Sequence, residues 1–175
     1  YMKHIILIGF KHTGKSAVGA ELAVELGKEH VDIDAIAEQR HKERHEEELN
    51  SRQIVQKHGL DHFRGLEKEV LREIMESNDS QIISLGGGTI VDEENRDMIK
   101  GHTIVHVTAP RSIVYERIMV NGKPAFFPDG ENSFTTFKNI WNEREPQYEA
   151  VSSMTVNNDN SLESAVKEIR TALHI

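Results

Sequence analysis

Eight residues near the start of the chain, GFKHTGKS from Gly9 to Ser16, fit the pattern G-x-x-x-x-G-K-[ST] at every position. Such a loop wraps phosphate oxygens in backbone N–H groups, and the N-terminus of a following helix favours anions. Lys15 has the reach for β- and γ-phosphates, and the Ser16 hydroxyl can ligate Mg²⁺. Gly9, Thr13, Gly14 and Ala17 complete the cradle through their backbone. Lys11 and His12 are expected to lend backbone only. The bland alternative is a glycine turn with an exposed lysine. The buried strand expected before the loop and the amphipathic helix expected after it count against that.

A second constellation is VDIDAI, with Asp32 and Asp34 two apart at the expected end of a strand. Residues i and i+2 of a strand share a face, so both carboxylates can enter one cleft. One could hold Mg²⁺ through water while the other accepts or orients a hydroxyl proton. The competing reading is a helix N-cap plus a surface acid. Arg64 in FRGLE and Arg144 in NEREPQY each carry a planar fork that matches a carboxylate. Taken alone, each also reads as a surface residue, Arg64 pairing with Glu67 three positions on. Gly86, Gly87 and Gly88 follow a strand-like run, and three glycines there signal a need for close backbone approach.

These residues need elements to hold them. HIILIG (4–9) is a continuous apolar run and predicts a buried parallel strand. KSAVGAELAVEL places Val18, Leu22, Ala23 and Leu26 on one helical face, ended by Gly27. Strands are further expected in HVDIDAI, QIISLGGG, HTIVHVTA and SMTVNN, with helices between them. Pro110 suits the first turn of one helix, and Pro146 is expected to perturb another after about Glu145. The alternation implies a parallel sheet covered on both faces, with ligands at the carboxyl ends of its strands. Each chemistry-bearing loop follows a strand, so topology alone converges them on one edge.

Bulk properties narrow the function. The 175 residues suit one domain, 1–175, with 37% hydrophobic and 29% charged residues. The net charge of -8 argues against a broad nucleic-acid surface. No run is long enough for a membrane span. The absence of cysteine excludes disulfides and thiolate metal sites and fits a cytoplasmic setting. His41 and His45, four apart in QRHKERHEEE, read as part of a solvated helix face rather than a metal site.

Taken together, GFKHTGKS, DIDAI, HFRGLE, SLGGGTIV and NEREPQYE occur in an order that resembles the shikimate kinase family over nearly the whole chain. The resemblance implies a three-layer α/β sandwich with a five-stranded parallel sheet, a P-loop NTPase of the nucleoside-monophosphate-kinase-like type. It implies a helical substrate-binding excursion at about 35–65 and a lid at about 121–133. ATP and Mg²⁺ are the implied cofactors, shikimate the acceptor, and a monomer the expected state. By the same resemblance Asp34 holds the reacting hydroxyl, Arg64 and Arg144 clamp the substrate carboxylate, and Gly86 to Gly88 approach the ring. Ser16 and Asp32 serve Mg²⁺, and Arg117 stacks on adenine. Lys123 stands where the family has a catalytic lid arginine. A related kinase for another small hydroxy acid, or a nucleotide-binding relative without catalysis, are the alternatives.

Overall fold

A computed structural model describes residues 3–123, 127, 132–159 and 161–175. The first strand, β1 (Ile5–Ile8), has four buried residues in a row because both its faces are covered. Ile5 and Leu7 pack with Val18 and Leu22 of helix α1 (Lys15–Leu26) and with Val166 and Ile169 of the last helix, α8 (Leu162–Leu173). Ile6 and Ile8 point the other way, into a cluster with Phe10, Val70, Leu71, Phe137 and Tyr148. The sequence run is continuous, but the side chains alternate between two cores.

The remaining strands are β2 (His30–Asp32), β3 (Ile82–Ser84), β4 (Thr103–Thr108) and β5 (Met154–Asn157). All pair in parallel in the order β2-β3-β1-β4-β5. Central β1 is flanked by strands reached in opposite directions, which opens a crevice at its carboxyl end. The expected fold class is thus present. The other helices are α2 (Ile33–His45), α3 (Ser51–His58), α4 (Leu60–Met75), α5 (Glu93–Ile99), α6 (Arg111–Asn121) and α7 (Ser133–Val151).

Three local expectations need correction. The second strand stops at Asp32, whose carboxylate accepts the Ala35 N–H at 3.2 Å and so caps α2. Asp34 therefore lies in the first helical turn, not on a strand. Helix α7 runs through Pro146 to Val151. Pro146 and Asn142, whose carbonyl the missing N–H would have met, are both exposed, so water can serve that carbonyl. Pro110 is the N-cap of α6 rather than part of its first turn.

The excursion comprises α2, α3 and the start of α4. It has a small core of its own, Ala37, Ile54, Phe63 and Leu66, with Leu49 and Val55 against it. Nor is its histidine pair a solvated face: His41 is 0% exposed, and only His45 is exposed. Of the expected lid, positions 124–126 and 128–131 lie outside the described residues. Among the described residues, no helix is long and apolar enough to cross a membrane.

Candidate active site

The loop after β1 passes through Gly9 (φ 148°) and Gly14 (φ 90°), conformations that favour glycine. At Gly9 a Cβ would lie 2.1 Å from the Val107 carbonyl oxygen, so backbone itself closes that position. Gly14 is the N-cap of α1. Lys15 is 8% exposed, and its Nζ donates to the Phe10 carbonyl at 2.8 Å. Burial pulls its pKa down to about 8, with Asp34 and Asp32 opposing the shift. The Ser16 hydroxyl donates to Asp32 Oδ2 at 2.5 Å. Hydroxyl and carboxylate oxygens side by side are the hard donors that suit Mg²⁺.

Two cavities meet here. The first is lined among others by Lys11, His12, Gly14 to Ala17, Asp32 and Asp34. The second is lined among others by Arg52, Phe63, Arg64, Glu67, Gly88 and Arg144. Lys11, Asp34, Gly86 and Gly87 line both. A group passing from one cavity to the other must pass these four residues.

The second cavity is built around a buried carboxylate. Glu67 is 0% exposed, accepts the Thr89 hydroxyl at 2.8 Å and pairs with Arg64 Nη1. The ordinary helix pairing expected of Arg64 and its role as a cavity cation turn out to be one arrangement. Glu67 holds the guanidinium, whose other nitrogens remain for a ligand. Burial, then the charges of Glu67 and Asp32, push the Asp34 pKa up to about 7, with Lys15 opposing. Asp34 Oδ1 and Arg52 Nε are both buried and have no hydrogen-bond partner among the described residues, and both belong to residues of this cavity. Asp34 and Glu67 face one another across Gly86, the position both carboxyls crowd.

The glycines are needed for close approach. A Cβ at Gly86 would sit 2.6 Å from Asp34 Oδ1 and from Glu67 Oε1, and one at Gly88 would sit 2.0 Å from Arg64 Nη2. Gly87 packs on the phosphate loop, and its carbonyl accepts the Tyr148 hydroxyl from α7. Gly88 has φ -107°, open to any residue, so Gly88→Ala should fold normally while displacing the Arg64 fork. We expect its KM for the carboxylic acid to rise about 10–100-fold, the worth of a charged hydrogen bond, with Tm little changed. A KM within twofold of the parent would show that Arg64 does not bind the acid.

Most sequence-selected residues converge. Arg144 lines the second cavity, its Cζ 5.8 Å from the Phe10 ring centre. Arg117 Nη1 donates to the His12 carbonyl at 2.8 Å, beside the phosphate loop. Thr13 is turned inward, its hydroxyl donating to the Phe10 carbonyl at 3.0 Å. Lys123 is exposed and lines neither cavity. Sequence reasoning missed Glu67 as an anchor, Lys11 as more than backbone, and Arg52. A cation inside the loop was the available signal for Lys11. Nothing local marks Arg52 among the charges of the excursion.

A parallel sheet with this strand order, a G-x-x-x-x-G-K-S loop at the end of its central strand and an arginine-lined cavity beside it define a P-loop phosphotransferase of the nucleoside-monophosphate-kinase-like class. Comparison with known proteins narrows the class. The family model described as Shikimate kinase matches residues 12–174, and the chain belongs to that family. A shikimate kinase of Macrococcus caseolyticus is 31% identical over 94% of this chain and 92% of its own length. A bifunctional shikimate kinase/3-dehydroquinate synthase of Thermotoga maritima is 28% identical over 97% of this chain, which spans 32% of that longer protein. Among solved structures, shikimate kinase from Acinetobacter baumannii in complex with shikimate superposes with a TM-score of 0.85. It is 26% identical, with 99% of this chain and 94% of that one covered.

Proposed function

We propose that the chain transfers the γ-phosphoryl group of ATP to the 3-hydroxyl of shikimate. The observation that carries this is the shared wall of Lys11, Asp34, Gly86 and Gly87 between a phosphate cavity and an arginine-lined acid cavity. Residues 1–175 act as one kinase unit, monomeric and cytoplasmic. Arg64, held by Glu67, and Arg144 grip the carboxylate. Asp34 receives or orients the hydroxyl proton. Lys15 offsets charge on the transferring oxygens. Lys11 adds a second cation at the crossing point. Ser16 and Asp32 supply the oxygens that would hold Mg²⁺, whose role when bound is to neutralise phosphate charge. Gly9, Thr13, Gly14 and Ala17 shape the cradle, and Arg117 flanks the nucleotide. Catalysis is then mainly positioning and charge stabilisation.

A second reading, a more strongly anionic hydroxy acid as acceptor, is favoured by Arg52, a third guanidinium in the acid cavity whose buried Nε has no partner among the described residues. An ADP-release assay with shikimate and with other small hydroxy acids separates the two. Shikimate-dependent turnover lost in Arg64→Ala supports the first. Turnover with a different hydroxy acid only supports the second. ATP binding without turnover on any acid overturns both.

Lys123 lies one residue beyond Gly122, where a Cβ would meet Arg52 Nη1 at 2.5 Å. If Lys123 swings to the transferring phosphate on closure, Lys123→Arg should raise kcat, because a guanidinium fork suits phosphate better than a point charge. An unchanged or lower kcat would place Lys123 outside the reaction.

A further inference from the structure

Four of the ten histidines gather outside the cavities described above. His41 and His45 lie one turn apart on α2, His58 ends α3, and His62 sits in the first turn of α4. The corner at Gly59 (φ 95°, ψ 159°) folds the last two onto the first two. Every pair of the four rings has its centroids between 4.5 and 5.4 Å apart. His41 Nδ1 is 3.1 Å from His62 Nε2, and His41 Nε2 is 3.2 Å from Glu47 Oε2. His58 Nε2 approaches the same Glu47 oxygen at 2.7 Å, and Lys57 pairs with the other.

Such a cluster has an ordinary explanation, a hydrogen-bonded and stacked set of rings. Its ring nitrogens also converge, with the Glu47 carboxylate beside them. Imidazoles beside a carboxylate, with no thiolate in the chain, are the donor set of a borderline divalent ion such as Zn²⁺. At Zn–N bonds of about 2.0–2.1 Å, tetrahedral donors lie roughly 3.3 Å apart. The His41–His62 pair already has that spacing. One donor each from His41, His45 and His62 falls within 4.8 Å of the others. His45 is the exposed member.

We propose that His41, His45 and His62 bind a zinc-type divalent ion through one ring nitrogen each. Glu47 accepts the remaining N–H of His41 and so fixes its tautomer, the usual carboxylate support of a metal-bound imidazole. His58 packs its ring against all three. The ion is structural. It ties α2 to the α3–α4 corner, and those helices carry Arg52, Arg64 and Glu67 of the acid cavity. The proposal does not depend on which acid the kinase phosphorylates.

The test uses tag-free, chelator-treated protein without nucleotide. Calorimetric titration with Zn²⁺ should show one ion per chain, Tm should rise on addition, and Co²⁺ should give the visible bands of a low-symmetry nitrogen site. His45→Ala, at an exposed position, and His62→Ala should each weaken binding by about tenfold or more and abolish the Tm rise. His174→Ala, at the far C-terminus, should leave both unchanged, and Mg²⁺ should not substitute. Absence of stoichiometric Zn²⁺ binding overturns the proposal. So does binding of undiminished affinity in both His45→Ala and His62→Ala, which would place the ion elsewhere.

Discussion

Lys15→Met should leave a folded chain whose phosphoryl transfer is slower by about 10²–10³-fold or more, the usual cost of losing one donor aimed at developing charge. Lys15 is 8% exposed, and among the described residues its Nζ donates to the Phe10 carbonyl alone. Burial lowers its pKa to about 8 from 10.5, so the folded state carries this charge at a cost. The sign follows from linkage. The unfolded chain binds more protons between pH 8 and 10.5, so stability rises with pH across that window and the cost is full below it. An apolar side chain of similar length removes the cost. Tm at pH 7 should therefore hold or rise while kcat collapses. Measuring kcat by ADP release and Tm on the same preparation checks both. A kcat within a few-fold of the parent would remove Lys15 from the transfer step.

Asp34→Asn should also divide stability from activity. Its carboxyl is pushed up to about 7 by burial, then by Glu67 and Asp32. The folded chain thus binds more protons than the unfolded between about pH 4 and 7, and stability contributed by protonated Asp34 is lost as pH rises through 7. The amide cannot ionise. At pH 8 the variant should melt a few degrees above the parent, since ~1 kcal/mol moves Tm by about 2–4 °C in a chain of this size. At pH 4 the two should converge. If Asp34 has its proposed role, the same change also removes the group that takes or orients the hydroxyl proton, an expected loss of about 10²–10⁴-fold in kcat. In the parent, kcat should climb as pH passes through about 7, the carboxylate being the working form. A variant less stable than the parent at pH 8, or one that keeps its activity, would contradict this account of Asp34.

How much of this was legible before folding follows the range of the forces involved. The run β1, phosphate loop, α1 was readable because a buried parallel strand, a glycine loop and an amphipathic helix each leave a short-range pattern. The same holds for the strand before Gly86. The chemistry of Asp32 and Asp34 was readable, but their backbone was not. Alternation with a period of two places both on a strand, whereas Asp32 caps a helix by accepting a backbone N–H three residues on. Pro146 misled for a similar reason. Its local penalty is real, but an exposed helix face lets water meet the freed carbonyl, and Tyr148 anchors the next turn to Gly87.

By itself, the sequence determined the alternation of strands and helices, the phosphate loop, the resemblance to one kinase family and the residue types that serve it. Those are properties of neighbours in the chain. Only the tertiary structure decided that the Glu67 beside Arg64 is buried and anchored by Thr89, that Lys11 and Asp34 stand between two cavities, that Arg52 joins the second cavity, and that four histidines from three helices meet. Each of those depends on residues far apart in sequence, brought together by burying apolar surface, and no spacing along the chain encodes such a meeting.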